Sequence, residues 1–96
     1  MRVIKKETGR RAKVVEIEND LKPLQDAVGG WIECVHIPGL NDVCIICDEE
    51  GVIKGLPFNT DINGLWLFGP ILIVGTDGEE FCDVPDKYVP QLLRAL

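Results

Sequence analysis

The stretch Val43-Cys44-Ile45-Ile46-Cys47-Asp48-Glu49-Glu50-Gly51-Val52-Ile53-Lys54-Gly55-Leu56-Pro57-Phe58-Asn59 decides how this chain is read. Its first five residues form a nearly continuous apolar run, rich in β-branched side chains. Such a run predicts a central strand covered on both faces. Asp48-Glu49-Glu50-Gly51 then reverses the chain into Val52-Ile53, which reads as the next arm of an antiparallel meander. Gly55-Leu56-Pro57 sets a bend, because a residue before proline is pushed toward extended geometry, and the Asn59 amide can tie the following turn. A path so closely defined suits a structural turn or the wall of a small site.

Upstream, Val3-Ile4-Lys5-Lys6 and Lys13-Val14-Val15-Glu16-Ile17 flank the polar turn Thr8-Gly9-Arg10-Arg11 and predict a hairpin. A two-stranded ribbon is marginal alone, so it must pair or pack elsewhere. Asn19 or Asp20 can cap a short helix in which Leu21, Leu24 and Val28 share one face. Pro23 falls in its first turn, and Gly29-Gly30 closes it. Trp31 to Ile37 is a strand, and Pro38-Gly39-Leu40-Asn41-Asp42 the turn into the central run.

Downstream, Asn59 to Gly69 is the least regular part. Leu65, Trp66, Leu67 and Phe68 are too apolar for a solvated loop, so they should cover an open edge of the core or form a contact patch. Pro70 to Gly75 reads as another strand, Thr76 to Glu80 as a turn, and the tail from Val84 to Leu96 as a short helix. Pro90 suits its first turn, with Leu92, Leu93 and Leu96 packing inward. The expected fold is α+β: residues 1–96 as one compact domain, a small mostly antiparallel sheet with a short covering helix and a C-terminal helix.

Composition bounds the function. With 96 residues and 46% hydrophobic side chains, the chain can build a modest core despite a net charge of −6, so disorder is not expected. No apolar run reaches the length of a membrane span. Met1 to Glu7 lacks the long apolar region of a signal peptide, so no membrane association and a cytoplasmic location are expected. Residues 41–96 carry three basic against ten acidic side chains, a local net of −7. Such a surface repels phosphates, so direct nucleic-acid binding is disfavoured.

The chemical motifs are incomplete. Cys44-x-x-Cys47 has a metal-pair spacing, but a strand sends residues three apart to opposite faces, and Cys34 and Cys82 are remote in sequence. Buried free thiols are the expectation, with no metal or cofactor. His36 is the only histidine, and one imidazole does not identify an enzyme. Asp48, Glu49 and Glu50 could serve a divalent ion or general acid–base work, but acids beside a glycine turn are commonly just solvated. Gly51-x-x-x-Gly55 lacks the lysine and hydroxyl residue of a phosphate loop. Trp31, Phe58, Trp66 and Phe68 could form a recognition patch or most of the core.

Three stretches together resemble the family catalogued as domain of unknown function 3846, small proteins encoded by bacteria, plasmids and phages. They are Leu24-Gln25-Asp26-Ala27-Val28-Gly29-Gly30-Trp31-Ile32-Glu33, Asp48 through Asn59, and Ile73-Val74-Gly75-Thr76-Asp77-Gly78-Glu79-Glu80-Phe81, along with the early strand pair. A compact middle loop and the cysteine-rich strand depart from the family pattern. The resemblance implies a mobile-element setting and transfers no catalytic residues. Gly29, Gly30, Gly51, Gly55, Pro57 and Gly75 are read as structural turn positions.

The expected function is therefore a non-enzymatic accessory or protein-interaction module, with a host or phage protein as partner. Its candidate surface comprises Asp48, Glu49, Glu50, Lys54, Asn59, Trp66 and Phe68. The alternative is a small hydrolase or a nucleotide- or metabolite-binding protein using the acidic turn, which requires those acids and His36 to converge in one pocket.

Overall fold

A computed structural model describes residues 1–96. The order of elements is β1 (Arg2–Lys6), β2 (Lys13–Glu16), α1 (Leu21–Val28), β3 (Ile32–His36), β4 (Val43–Asp48), β5 (Phe58–Ile62), β6 (Leu65–Phe68), β7 (Ile71–Asp77) and β8 (Glu80–Cys82). A 3-10 turn (Asp86–Tyr88) and α2 (Val89–Ala95) close the chain. The main sheet runs β2-β1-β7-β4-β3, entirely antiparallel, with β8 pairing the far end of β7. The α+β architecture follows the local sequence signals.

Central placement explains the apolar runs. Every residue of β4 is buried, as are Ile71 to Gly75 of β7. Register aligns Ile4, Ile73, Ile45 and Val35 in one row across four strands. Each fully buried isoleucine contributes about 2 kcal/mol relative to exposure. Strand alternation then divides the core in two. Ile4, Val43, Ile45, Cys47, Ile71 and Ile73 face one layer made by the β5–β6 hairpin and α2. Val3, Cys44, Ile46, Leu72 and Val74 face α1 on the other side.

Helix α1 buries Leu24 and Val28, one turn apart, against that face, with Ala27 partly buried beside them; Leu21 shares their stripe but stands at the exposed N-terminal end. Asp20 takes the extended cap conformation without a side-chain bond, and the Asn19 amide instead donates to the Phe81 carbonyl at 2.9 Å. Gly29 closes the helix in the left-handed region, φ 87°, as a glycine C-cap should.

Three local expectations fail. Val52 and Ile53 are not a strand: they lie exposed in the turn from Glu49 to Gly55, where β-branching is overruled by the contacts that close the turn. Residues 58–68 are not irregular either, but a second two-stranded sheet. Its reversal is Asn63-Gly64, with φ of 50° and 90°, the pairing of positive angles that tight hairpins require. Gly75 lies inside β7 rather than in a turn, opposite Val43 and Cys82.

Candidate functional site

The acidic turn is built around Asp48, the last residue of β4. Its Oδ1 accepts the Glu50 N–H at 2.8 Å and its Oδ2 accepts from Lys54 Nζ at 2.7 Å. Backbone bonds from Lys54 to Glu50 and from Leu56 to Gly51 wind the loop, while the Glu49 N–H reaches the Trp31 carbonyl at 2.8 Å. Lys54 Nζ also donates to the Gly29 carbonyl at 3.3 Å, placing a cation at the C-terminus of α1, where the helix dipole favours it. Gly30 makes room for this: a Cβ there would stand 2.7 Å from Lys54 Nζ and 2.8 Å from Asp48 Oδ2. Asp48 and Lys54 thus form an internal staple across helix, strand and turn.

The Asp48 side chain is only 1% exposed, and Lys54 first, then the Glu50 N–H, hold its carboxyl below the ordinary value of 3.8. A lowered native pKa stabilises the fold above the unfolded value and ceases to do so as pH falls through the native one. Stability should therefore decline as pH drops below about 4. Asp48→Asn should make denaturant midpoints less acid-sensitive in that window while lowering them near neutrality. An identical pH profile for the two proteins would refute the staple.

Asn59 is a second internal fastener. Its Nδ2 donates to the carbonyls of Lys6 (2.9 Å) and Gly69 (2.7 Å), and its Oδ1 accepts from Lys6 Nζ at 2.9 Å. Lys6 is itself buried, its ammonium held also by the Glu7 carbonyl at 3.0 Å. One amide therefore ties the β5–β6 hairpin to β1 of the main sheet.

The hairpin's outer face is aromatic. Leu67 turns inward to the core while Trp66 and Phe68 take the opposite face. Phe58 packs edge-on against both, with ring centroids at 6.2 Å (Trp66) and 5.8 Å (Phe68). Phe58 is 51% and Trp66 67% exposed. With Asp61 these rings frame an open hollow of about 400 Å³. A groove beside it, between the β3–β4 edge and β6, carries Glu33, Glu49 and Val52 on its other wall.

Trp31 does not join those rings. It walls a separate open cleft of about 540 Å³ with Gln25, Asp26, Gly30, Glu50 and Lys54. The turn from Glu49 to Val52 stands between cleft and groove. Of the candidate surface, Asp48, Lys54 and Asn59 are occupied internally, Glu49 and Glu50 are exposed, and Trp66 and Phe68 lie on the hairpin. Phe58 and Trp31 complete the two hollows. The Asn63-Gly64 dipeptide is the sequence signal that would have revealed the hairpin.

His36 and the acids do not converge. His36 pairs with Cys44 and Asp48 with Ile32, at opposite ends of the same strand pair, about 13 Å apart along it. Cys44 and Cys47 enter the two different cores, as strand alternation demands. Burial first, then the charges of Glu33 and Asp48, pushes the Cys47 thiol up to about 11, and burial raises Cys44 as well. Such thiols are poor nucleophiles and poor metal ligands at neutral pH. All four cysteines are free, but the expectation of burial holds only for Cys44 and Cys47 on the central strand: Cys34, on the edge strand β3, is exposed and Cys82, on the short β8, is half-buried.

A family model described as a domain of unknown function (DUF3846) matches residues 1–96, the entire chain. The chain is a member of the DUF3846 family. The fold described above is thus that of a DUF3846 chain: a six-stranded sheet between one helix and a hairpin-plus-helix layer. No helix in it is long and apolar enough to cross a membrane. No curated protein and no solved structure matches the chain.

Proposed function

We propose that this DUF3846 chain is a non-enzymatic protein-interaction module whose contact face is the aromatic side of the β5–β6 hairpin. The observation that carries this reading is the pair Phe58 and Trp66, both more than half exposed yet packed edge-to-face on a hairpin fastened to the core through Asn59 and Lys6. Large aromatics held rigid before binding lose little side-chain freedom on association, and tryptophan is enriched among residues that dominate interface energetics. Glu33, Glu49 and Asp61 border the rings, so the complementary partner presents an apolar depression with a basic rim. A host or phage protein encountered in a mobile-element setting is the partner class that the family resemblance favours.

An acid-catalysed hydrolase draws little support from this geometry, since Asp48 is saturated by Lys54 and the Glu50 N–H, leaving Glu49 and Glu50 as solvated carboxylates. The test is affinity capture from host lysate with native protein and with Trp66→Ala and Phe58→Ala. Each substitution should weaken capture of a specific partner at least tenfold, about 1.4 kcal/mol, while thermal midpoints stay within a few degrees. Equal capture by folded variants would remove the hairpin face from consideration.

A further inference from the structure

The cleft beside Trp31 is not used by the hairpin reading and does not depend on it. Its walls come entirely from two segments, Gln25–Trp31 and Glu50–Lys54, so the two longest stretches carrying the family resemblance meet across it. The segments are positioned by bonds already described: Glu49 N–H to Trp31 carbonyl, Lys54 to Asp48 and Lys54 to Gly29 carbonyl. Trp31 stands 64% exposed at the rim, with no aromatic or cationic side chain on its ring face.

The charges facing this space are unequal. Lys54, its cationic wall residue, is neutralised by Asp48. Asp26 is shared with Lys22 one helical turn away, and Glu50 has no cationic partner. A net negative hollow with an open indole on one side suits a cation that can lie flat on that ring. A guanidinium does so better than an ammonium, being planar, weakly hydrated and able to bridge carboxylates.

We propose that this cleft receives the guanidinium of an arginine side chain presented by a partner protein, stacked on Trp31 and paired with Glu50, with Asp26 as the second carboxylate. Asp48, Lys54 and Gly30 are positioning residues that hold the two walls together. The open mouth suits a side chain reaching in from a larger surface rather than an enclosed small molecule.

The experiment titrates an acetylated, amidated Gly-Gly-Arg-Gly-Gly peptide into the isotopically labelled full chain. Side-chain and backbone N–H signals are followed by NMR, which resolves the two indoles separately. Saturable movement of the Trp31 indole and of the Gly30 and Glu50 amides, with the Trp66 indole stationary, is expected. The citrulline peptide, which keeps shape but loses charge, should bind about tenfold more weakly, and the lysine peptide about threefold. Trp31→Ala should abolish the response at Gly30, and Glu50→Gln should weaken it about fivefold with reduced salt sensitivity. No saturable movement, equal binding of the arginine and citrulline peptides, or an unchanged response in both variants would overturn the proposal. Movement of Trp66 instead of Trp31 would overturn it too, while leaving the hairpin reading standing.

Discussion

Gly75→Ala is expected to lower the thermal midpoint by roughly 15 °C, a loss of about 3 kcal/mol. A Cβ on Gly75 would stand 2.1 Å from the Asp83 carbonyl oxygen and 2.9 Å from Cys82 Sγ. The thiol could rotate away, but the carbonyl cannot. Asp83 is anchored to β1, its carboxylate accepting the Arg2 N–H at 2.8 Å, and the neighbouring Val84 N–H donates to the Arg2 carbonyl at 2.9 Å. Relief therefore requires β8 and the chain after it to move off β7, with Val84 leaving the core. Differential scanning calorimetry checks this directly. A midpoint within about 2 °C of the native protein would mean that β8 does not lie against β7 as described.

Asn59→Ala should produce the second large effect, about 3 kcal/mol in urea denaturation. It removes two donors to the Lys6 and Gly69 carbonyls and the side-chain acceptor nearest a buried ammonium. Asn59→Asp separates these roles. It retains a partner for Lys6 but turns a carboxylate toward two carbonyl oxygens, so it should also destabilise, despite the new ion pair. Native-like stability of the aspartate variant would show that the amide is not the fastener between hairpin and sheet. Because Trp66 and Phe58 depend on that hairpin for their placement, Asn59→Ala should further weaken partner capture even at temperatures where the main sheet survives.

Much of the fold could be read from local pattern because its elements obey local rules. The Val43 to Cys47 run needs two covered faces, and it occupies the interior of the sheet. Leu24, Val28 and Gly29 describe a short helix by spacing and termination, and that is what forms. The cysteine spacing on β4 separates two thiols into two cores through a period of two. The errors also have local causes. Val52-Ile53 has strand-forming side chains, but an ion pair spanning Asp48 to Lys54 curls that segment into a turn and leaves both side chains in solvent. Leu65 to Phe68 is apolar throughout, so its alternation is invisible until Leu67 is seen facing the core and Trp66 facing water.

The candidate surface was less legible than the fold. Glu50, Trp66 and Phe68 keep free faces, while Asp48 and Asn59 are held inside by partners. The Asn59–Lys6 bond joins residues 53 positions apart, and no periodicity announces such a contact.

Sequence by itself determined the family, the order of most elements and the burial of the central strand, because helical and strand periods are properties of consecutive side chains. Only the tertiary structure decided which polar groups remain available to a partner. That depends on long-range pairing, since a carboxylate or amide already bound within the fold has little left to offer outside it.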